Sequence, residues 1–253
     1  MEHNGNALVI GVSGGIGREV FRQLVESERY KTVIGVSRQV RQQAGGDISS
    51  FVKGAQLIQL DYGDESVVAD FCQAQQSAGQ FTRVICCCGV LHGQSKDGTD
   101  LQPEKRLEDM SADKLSAYFS INTILPALWL RYLLPLVTGH KPADISFCSA
   151  RVGSIQDNRL GGWYGYRASK AALNMLVKTA QVEYQRRAKN VAFICYHPGT
   201  VDTSLSKPFQ GNVQPDKLFT SEFSVGRLLG LLASVCPEKG PYFIDWDGKA
   251  IPW

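Results

Sequence analysis

"ALVIGVSGGIGREVFRQLV", residues 7–25, changes character twice within a short span. Residues 7–11 form an apolar run. Residues 11–17 are rich in glycine. From Ile16 onward Val20, Phe21, Leu24 and Val25 recur at helical spacing. This order predicts a strand, a tight turn and a helix. Gly11, Gly15 and Gly17 are spaced G-x-x-x-G-x-G. Glycine permits the turn and lets a backbone approach a phosphate closely. The helix that follows offers free N–H groups and the positive end of its dipole to a pyrophosphate. Ser13 adds a hydroxyl donor, and Ile16 belongs to the same candidate dinucleotide-binding turn.

The rest of the chain continues the rhythm. Apolar runs at 32–36, 55–60, 83–88, 144–148, 191–196 and 242–245 suit strands covered on both faces. Amphipathic stretches at 16–28, 64–78, 111–133, 161–188 and 221–234 suit helices. The expected fold is α/β, one doubly wound parallel sheet of about seven strands with helices on both faces, in a single domain over 1–253. Two long stretches, 92–109 and 204–219, interrupt the rhythm after strand ends, where open α/β sheets bind ligands.

Composition narrows the function classes. With 43% hydrophobic and 20% charged residues, the chain can bury a sizeable core. A net charge of +3 without basic clusters argues against nucleic acid. No apolar run reaches membrane-spanning length, because Arg131 interrupts "ILPALWLRYLLPLV", and the N-terminus lacks the pattern of a signal peptide. The seven cysteines are Cys72, Cys86, Cys87, Cys88, Cys148, Cys195 and Cys236, an odd number set mostly in strand-like runs. That fits a cytoplasmic protein without a disulfide framework. "CCC" at 86–88 is not read as a metal site, since neighbours on a strand point to opposite faces.

"YGYRASKAALN", residues 164–174, places Tyr166 and Lys170 four apart on a predicted helix, hence on one face. A nearby cation lowers a phenol's pKa, and such a phenol can exchange a proton with a carbonyl oxygen. "VIGVSRQ", residues 33–39, ends the second strand in Ser37 and Arg38 rather than the acid that binds a ribose 2′-hydroxyl. A guanidinium and a hydroxyl suit a 2′-phosphate, so NADPH is expected in preference to NADH. Arg18 could contribute.

Together these segments resemble the short-chain dehydrogenase/reductase family over nearly the whole chain, and "SARVGSIQDNRLGGWYGYRASKAALN" is most similar to its C-factor-like and sniffer-like carbonyl reductase branch. The resemblance implies a Rossmann-type fold and residue roles. Gly11, Gly15 and Gly17 match the cofactor turn, and Asp61 matches the acid near the adenine. Cys86, Cys87, Cys88 and Gly89 stand where the family usually has N-N-A-G. Asn122 matches the asparagine that holds a proton-relay water. Tyr166 matches the catalytic acid/base, and Lys170 the residue that binds the nicotinamide ribose. Pro198, Gly199, Val201 and Thr203, in "HPGTVDT", match the turn whose threonine contacts the carboxamide. The family serine lies three residues before a glycine. Counting back from Gly153 gives Ala150, with Ser149 one residue earlier. A regular strand would turn that hydroxyl away, and a bulge could restore it. Ser149 is taken as the catalytic serine, with Ser154 the weaker substitute.

His197 is read as packing; His92 is read equally as a pocket residue or an ordinary polar loop residue, and Trp163 and Tyr164 as pocket walls or, more commonly for aromatics at a helix entry, plain packing. The aromatic C-terminal tail is expected at a subunit interface of a homodimer or homotetramer. Two functions follow: an NADPH-dependent reductase of a small-molecule carbonyl (aldehyde, ketone or quinone), or a cofactor-binding signalling or scaffold protein of the C-factor type.

Overall fold

A computed structural model describes residues 4–39 and 54–253. Seven parallel strands form the central sheet: β1 (Asn6–Ile10), β2 (Thr32–Ser37), β3 (Ala55–Gln59), β4 (Phe81–Cys86), β5 (Ala143–Cys148), β6 (Val191–His197) and β7 (Tyr242–Asp245), in the order β7-β6-β5-β4-β1-β2-β3. The order reverses between β1 and β4. The crevice beyond their carboxyl ends is therefore the switch point at which doubly wound sheets bind ligands.

Side-chain alternation divides the core between two layers. Leu8 and Ile10 of β1 face the cluster holding Phe71, Trp129, Leu173 and Val177. Ala7 and Val9 face the other, with Val20, Phe21, Leu24, Val225 and Leu228. The helices follow that division: α1 (Gly15–Glu26) and α7 (Ser221–Leu231) cover one face. Helices α2 (Glu65–Gln75), α4 (Leu125–Tyr132) and α6 (Tyr164–Arg187) cover the other, joined by α3 (Ala112–Phe119) and the short α5 (Leu134–Val137). Trp129 is fully buried, edge-on to Phe71 at 5.9 Å and to Tyr62 at 6.4 Å.

Three elements depart from the sequence expectation, and each departure shapes the site. Strand β4 ends at Cys86, so Cys87 and Cys88 lie in the turn beyond it. The helix expected over 111–133 is interrupted by a π-helical turn, Ser120–Ile124. Such turns gather at functional sites, and this one holds Asn122. Helix α6 starts at Tyr164 rather than 161, because Gly161, Gly162 and Trp163 all have positive φ.

At the opposite end of the sheet, Arg83 of β4 and Asp144 of β5 are register partners joined by a bidentate ion pair, with contacts of 2.7 and 3.1 Å. Both side chains are largely buried. Breaking such a pair leaves an uncompensated charge, whereas replacing both partners with apolar groups is often neutral. Arg83→Met is therefore expected to cost roughly 3–5 kcal/mol in urea unfolding, and Arg83→Met with Asp144→Leu to recover most of that loss.

Candidate active site

The glycine turn is as tight as its spacing implies. Gly11 has a φ of 94°, and a Cβ on Gly17 would lie 2.2 Å from the Gly11 carbonyl oxygen. A Cβ on Gly15 would strike Thr203 at 2.7 Å, so the turn after β6 abuts the turn after β1. Helix α1 begins without a side-chain cap or an acid in its first turn. Its N–H groups thus remain available to an anion, and Ser13 is exposed beside them. Ile16 is partly buried against the α1 and α7 layer.

At the end of β2, Ser37 is fully buried and its hydroxyl has no hydrogen-bond partner among the described residues, whereas Arg38 is exposed. Asp61, also exposed, accepts from Lys96 Nζ at 3.0 Å, and this bond and the nearby Arg38 charge hold its carboxyl below the usual range. Lys96 thus joins the expected adenine end of the site. It sits in the long stretch after β4, and nothing in its local sequence distinguishes it.

Around Lys170 the elements converge. Its Nζ donates to the Cys148 carbonyl at 2.8 Å and lies 5.8 Å from the Tyr166 ring centroid. A Cβ on Gly89 would meet that Nζ at 3.2 Å and Asn122 Oδ1 at 3.3 Å, so only glycine leaves both groups their places. Asn122 is fully buried. Its Nδ2 donates to the Val90 carbonyl and to Ser169 Oγ, and its Oδ1 accepts from the Val90 amide at 2.8 Å. Both amide hydrogens are used, which leaves one Oδ1 lone pair for a water. Burial lowers the pKa of Lys170. Burial also raises the Tyr166 phenol, with the nearby Cys148 adding to the rise. The expected lowering by Lys170 is absent from this arrangement: the ammonium is turned to a carbonyl, and desolvation outweighs it.

Ser149 is not brought to this group. It lies one residue beyond β5, buried, and its Oγ donates to Asn174 Oδ1 at 2.7 Å. Ala150 instead packs in one cluster with Tyr166, Tyr118 and Leu91. The register therefore follows the regular strand. Ser154 is buried too, and its Oγ accepts from the Asp157 amide. Beyond β6, Gly199 has a φ of 76° and a Cβ there would strike Phe219 at 2.6 Å. The Pro198 carbonyl accepts from Ser224, and Val201 is buried. His197 has an unpartnered Nδ1, and burial, reinforced by Arg151, pushes its pKa down to about 4. It is neutral near pH 7 and serves packing.

The two long stretches meet over the site. His92 Nε2 is 3.0 Å from the Ser204 carbonyl, and its ring stands edge-on to Phe209. Trp163 stacks edge-on to both Phe209 and Tyr166, at 5.3 and 6.2 Å. A cavity of about 760 Å³ opens beside them, lined by Glu104, Lys114, Trp163 and Phe209 among others. Tyr164 lines a separate cavity of about 260 Å³.

The family profile of the short chain dehydrogenases matches residues 5–213. The chain belongs to this family. It is an oxidoreductase that depends on a nicotinamide dinucleotide. It is 30% identical over 147 residues to the C-signal protein of Myxococcus xanthus, a span covering 58% of this chain and 83% of that one. Its fold is that of the carbonyl reductase Sniffer of D. melanogaster, with a TM-score of 0.80, 21% identity and full coverage of both chains. It is also that of an NADPH-bound carbonyl reductase from chicken fatty liver, with a TM-score of 0.81, 22% identity and full coverage of both. Among the described residues, no helix is long and apolar enough to cross a membrane.

Glu104 went unnoticed in the sequence, where it is one acid in a polar loop. It is buried, its Oε2 accepts from the Gly165 amide at 3.1 Å, and its carbonyl accepts from Trp163 N at 2.5 Å. It thereby pins the loop after β4 to the start of α6, one residue before Tyr166. Glu104→Ala is expected to cost roughly 1–3 kcal/mol by leaving a buried amide unpaired. The Gly165 amide should exchange with solvent faster, as hydrogen-exchange mass spectrometry would register.

Proposed function

We infer that the chain reduces a small-molecule carbonyl with NADPH, and that Tyr166 is the proton donor. One observation supports the role: the Tyr166 ring lies 5.8 Å from Lys170 Nζ, and burial with the nearby Cys148 raises its phenol pKa, so the phenol starts with a proton to give. Reduction needs a phenol that can give a proton, whereas alcohol oxidation needs a phenolate that can take one. The neighbouring carbonyl reductase folds accord with this reading.

The residues fit the dinucleotide. Gly11, Gly15 and Gly17 leave a cradle that a Cβ would fill, α1 presents uncapped N–H groups, and the exposed Arg38 after β2 is our candidate partner for a 2′-phosphate, whereas Ser37 is buried. Bound there, the cofactor supplies the hydride. Tyr166 gives its proton to the substrate oxygen. Lys170, with its charge desolvated, draws the developing phenolate charge and offers a donor to the ribose hydroxyls. Asn122 fixes the Val90 backbone against α6, and its remaining Oδ1 lone pair can hold the water that returns a proton. Thr203, which packs on Gly15, is our candidate for the carboxamide contact. Trp163, Phe209 and His92 form an aromatic wall, which favours substrates with an apolar or aromatic body.

A second reading, the C-factor-type scaffold with little turnover, draws on the orientation of Ser149. Among the described residues no serine hydroxyl bonds to the Tyr166 phenol, Ser149 is turned to Asn174, and Ala150 packs in the Tyr166 cluster instead. The two readings separate on two variants assayed by single-turnover NADPH oxidation over aldehydes, ketones and quinones. Tyr166→Phe should lower the rate roughly 10²–10⁴-fold while NADPH affinity holds. Ala150→Ser should raise it, by returning a hydroxyl to the substrate oxygen, whereas Ser149→Ala should act through stability alone. No reduction by any of these proteins would favour the scaffold.

Cofactor choice has its own test. Arg38→Asp should reverse the preference for NADPH by about tenfold or more, because a charge-assisted hydrogen bond is worth roughly 1.5–3 kcal/mol. Equal dissociation constants for NADPH and NADH in the unaltered protein would contradict the assignment.

A further inference from the structure

Four of the seven cysteines gather at the ends of two adjacent strands, and hydride transfer uses none of their thiols. Arg83 to Cys86 of β4 pair in register with Asp144 to Phe147 of β5. One step further, the same register sets Cys87 opposite Cys148. Their thiols are near enough to perturb each other's ionisation, and both residues are partly exposed. We propose that Cys87 and Cys148 form a reversible disulfide on exposure to a peroxide, and that this bond weakens dinucleotide binding. The second half rests on the reading that the glycine turn holds the dinucleotide.

Geometry selects this pair among the thiols. Adjacent strands lie about 4.7–4.9 Å apart, inside the Cα separation of about 4.4–6.8 Å that a disulfide spans. Cys86 and Cys88 also touch, but residues two apart on extended chain are about 6.6 Å apart. That is the upper limit, and both of those thiols are buried. Cys72 and Cys195 are buried elsewhere, and Cys236 contacts Glu238.

The pair also has an unequal chemistry. The Cys148 thiol is drawn down by the neighbouring Cys87 thiol and by the Lys170 charge, while Cys87 is pushed up by Cys148 and by burial. Cys148 is therefore the attacking thiolate. Its sulfur bonds to one peroxide oxygen as the O–O bond breaks. The departing hydroxide takes up the thiol proton as water and leaves a sulfenic acid. The Cys87 sulfur then attacks the Cys148 sulfur. The S–S bond forms, the S–O bond breaks, and hydroxide leaves with the Cys87 proton as a second water. Two thiols are oxidised by two electrons and one peroxide is reduced to two waters. A dithiol reverses the bond by exchange.

The bond would act on the cofactor site directly. A disulfide fixes its dihedral at about ±90° and most often sets its Cα atoms about 5.5–6 Å apart, so the two strand ends, about 4.7–4.9 Å apart, must shift to accommodate it. The Cys148 carbonyl is the acceptor of Lys170 Nζ. Cys87 lies under the glycine turn: its amide donates to the Ile10 carbonyl, and a Cβ on Gly17 would sit 3.3 Å from Cys87 Cβ. Closing the bond strains Lys170 and the turn together. A bound dinucleotide, covering both, should protect the thiols.

The experiment treats the whole protein with hydrogen peroxide, removes the excess, and measures intact mass and then NADPH dissociation constants. The wild type should become two hydrogens lighter and bind NADPH about tenfold or more weakly, with dithiothreitol restoring both properties and prior NADPH preventing the mass loss. Cys148→Ser should show neither change, whereas Cys86→Ser should behave as wild type. The proposal is overturned if no hydrogens are lost, if Cys148→Ser loses them equally, or if the disulfide forms and NADPH affinity is unaltered. Failure of the reduced protein to bind any dinucleotide would instead overturn the cofactor reading, and with it the claimed effect on binding.

Discussion

A buried ammonium organises the centre of this protein. Lys170 is 3% exposed, and its stem runs between two glycines: a Cβ on Gly153 would lie 2.9 Å from Lys170 Cβ, and one on Gly89 would lie 3.2 Å from its Nζ. Taking such a charge out of water is costly unless polar groups replace the water. The Cys148 carbonyl does so here, which fixes the end of β5 against α6. Asn122 fastens the turn after β4 to the same helix. The sheet's switch point, the π-helical turn and α6 are thus held in one mutual position by a few polar contacts. Tyr166 takes its place from that arrangement.

The substrate side is built on different terms. There the contacts are aromatic edges and loop-to-loop hydrogen bonds: His92 to Ser204, Trp163 to Phe209, Glu104 to the start of α6. The cofactor side depends on the absence of side chains at Gly11, Gly15 and Gly17, and the substrate side on their bulk. A Cβ at Gly15 or Gly17 would collide with its neighbours, whereas surface loops tolerate changes of shape.

Much of this was legible in the sequence. Near-continuous apolar runs gave away strands buried on both faces, and the glycine spacing located the switch point. Tyr166 and Lys170 share one face of α6 as their spacing implied, and Asn122 and Gly89, which only the family resemblance had singled out, lie beside Lys170. The misreadings have physical causes. Apolar periodicity runs unbroken through residues 120–124, so nothing marked the π-helical turn. The Ser149 register depended on whether the strand end was regular, and a one-residue difference reverses the side chain. The lowered phenol pKa was inferred from helical spacing alone, which cannot weigh desolvation against a cation already engaged by a carbonyl. Glu104 and Lys96 acquire their partners only through the fold.

The central claim is that hydride passes to a carbonyl carbon beside Tyr166. NADPH carrying deuterium at the transferring position of the nicotinamide tests it most directly. With whichever aldehyde, ketone or quinone is consumed, the account predicts one deuterium on the former carbonyl carbon of the alcohol, or in the hydroquinone system its stoichiometric loss from the cofactor. Tight NADPH binding with no deuterium leaving the nicotinamide for any of these substrates would contradict it.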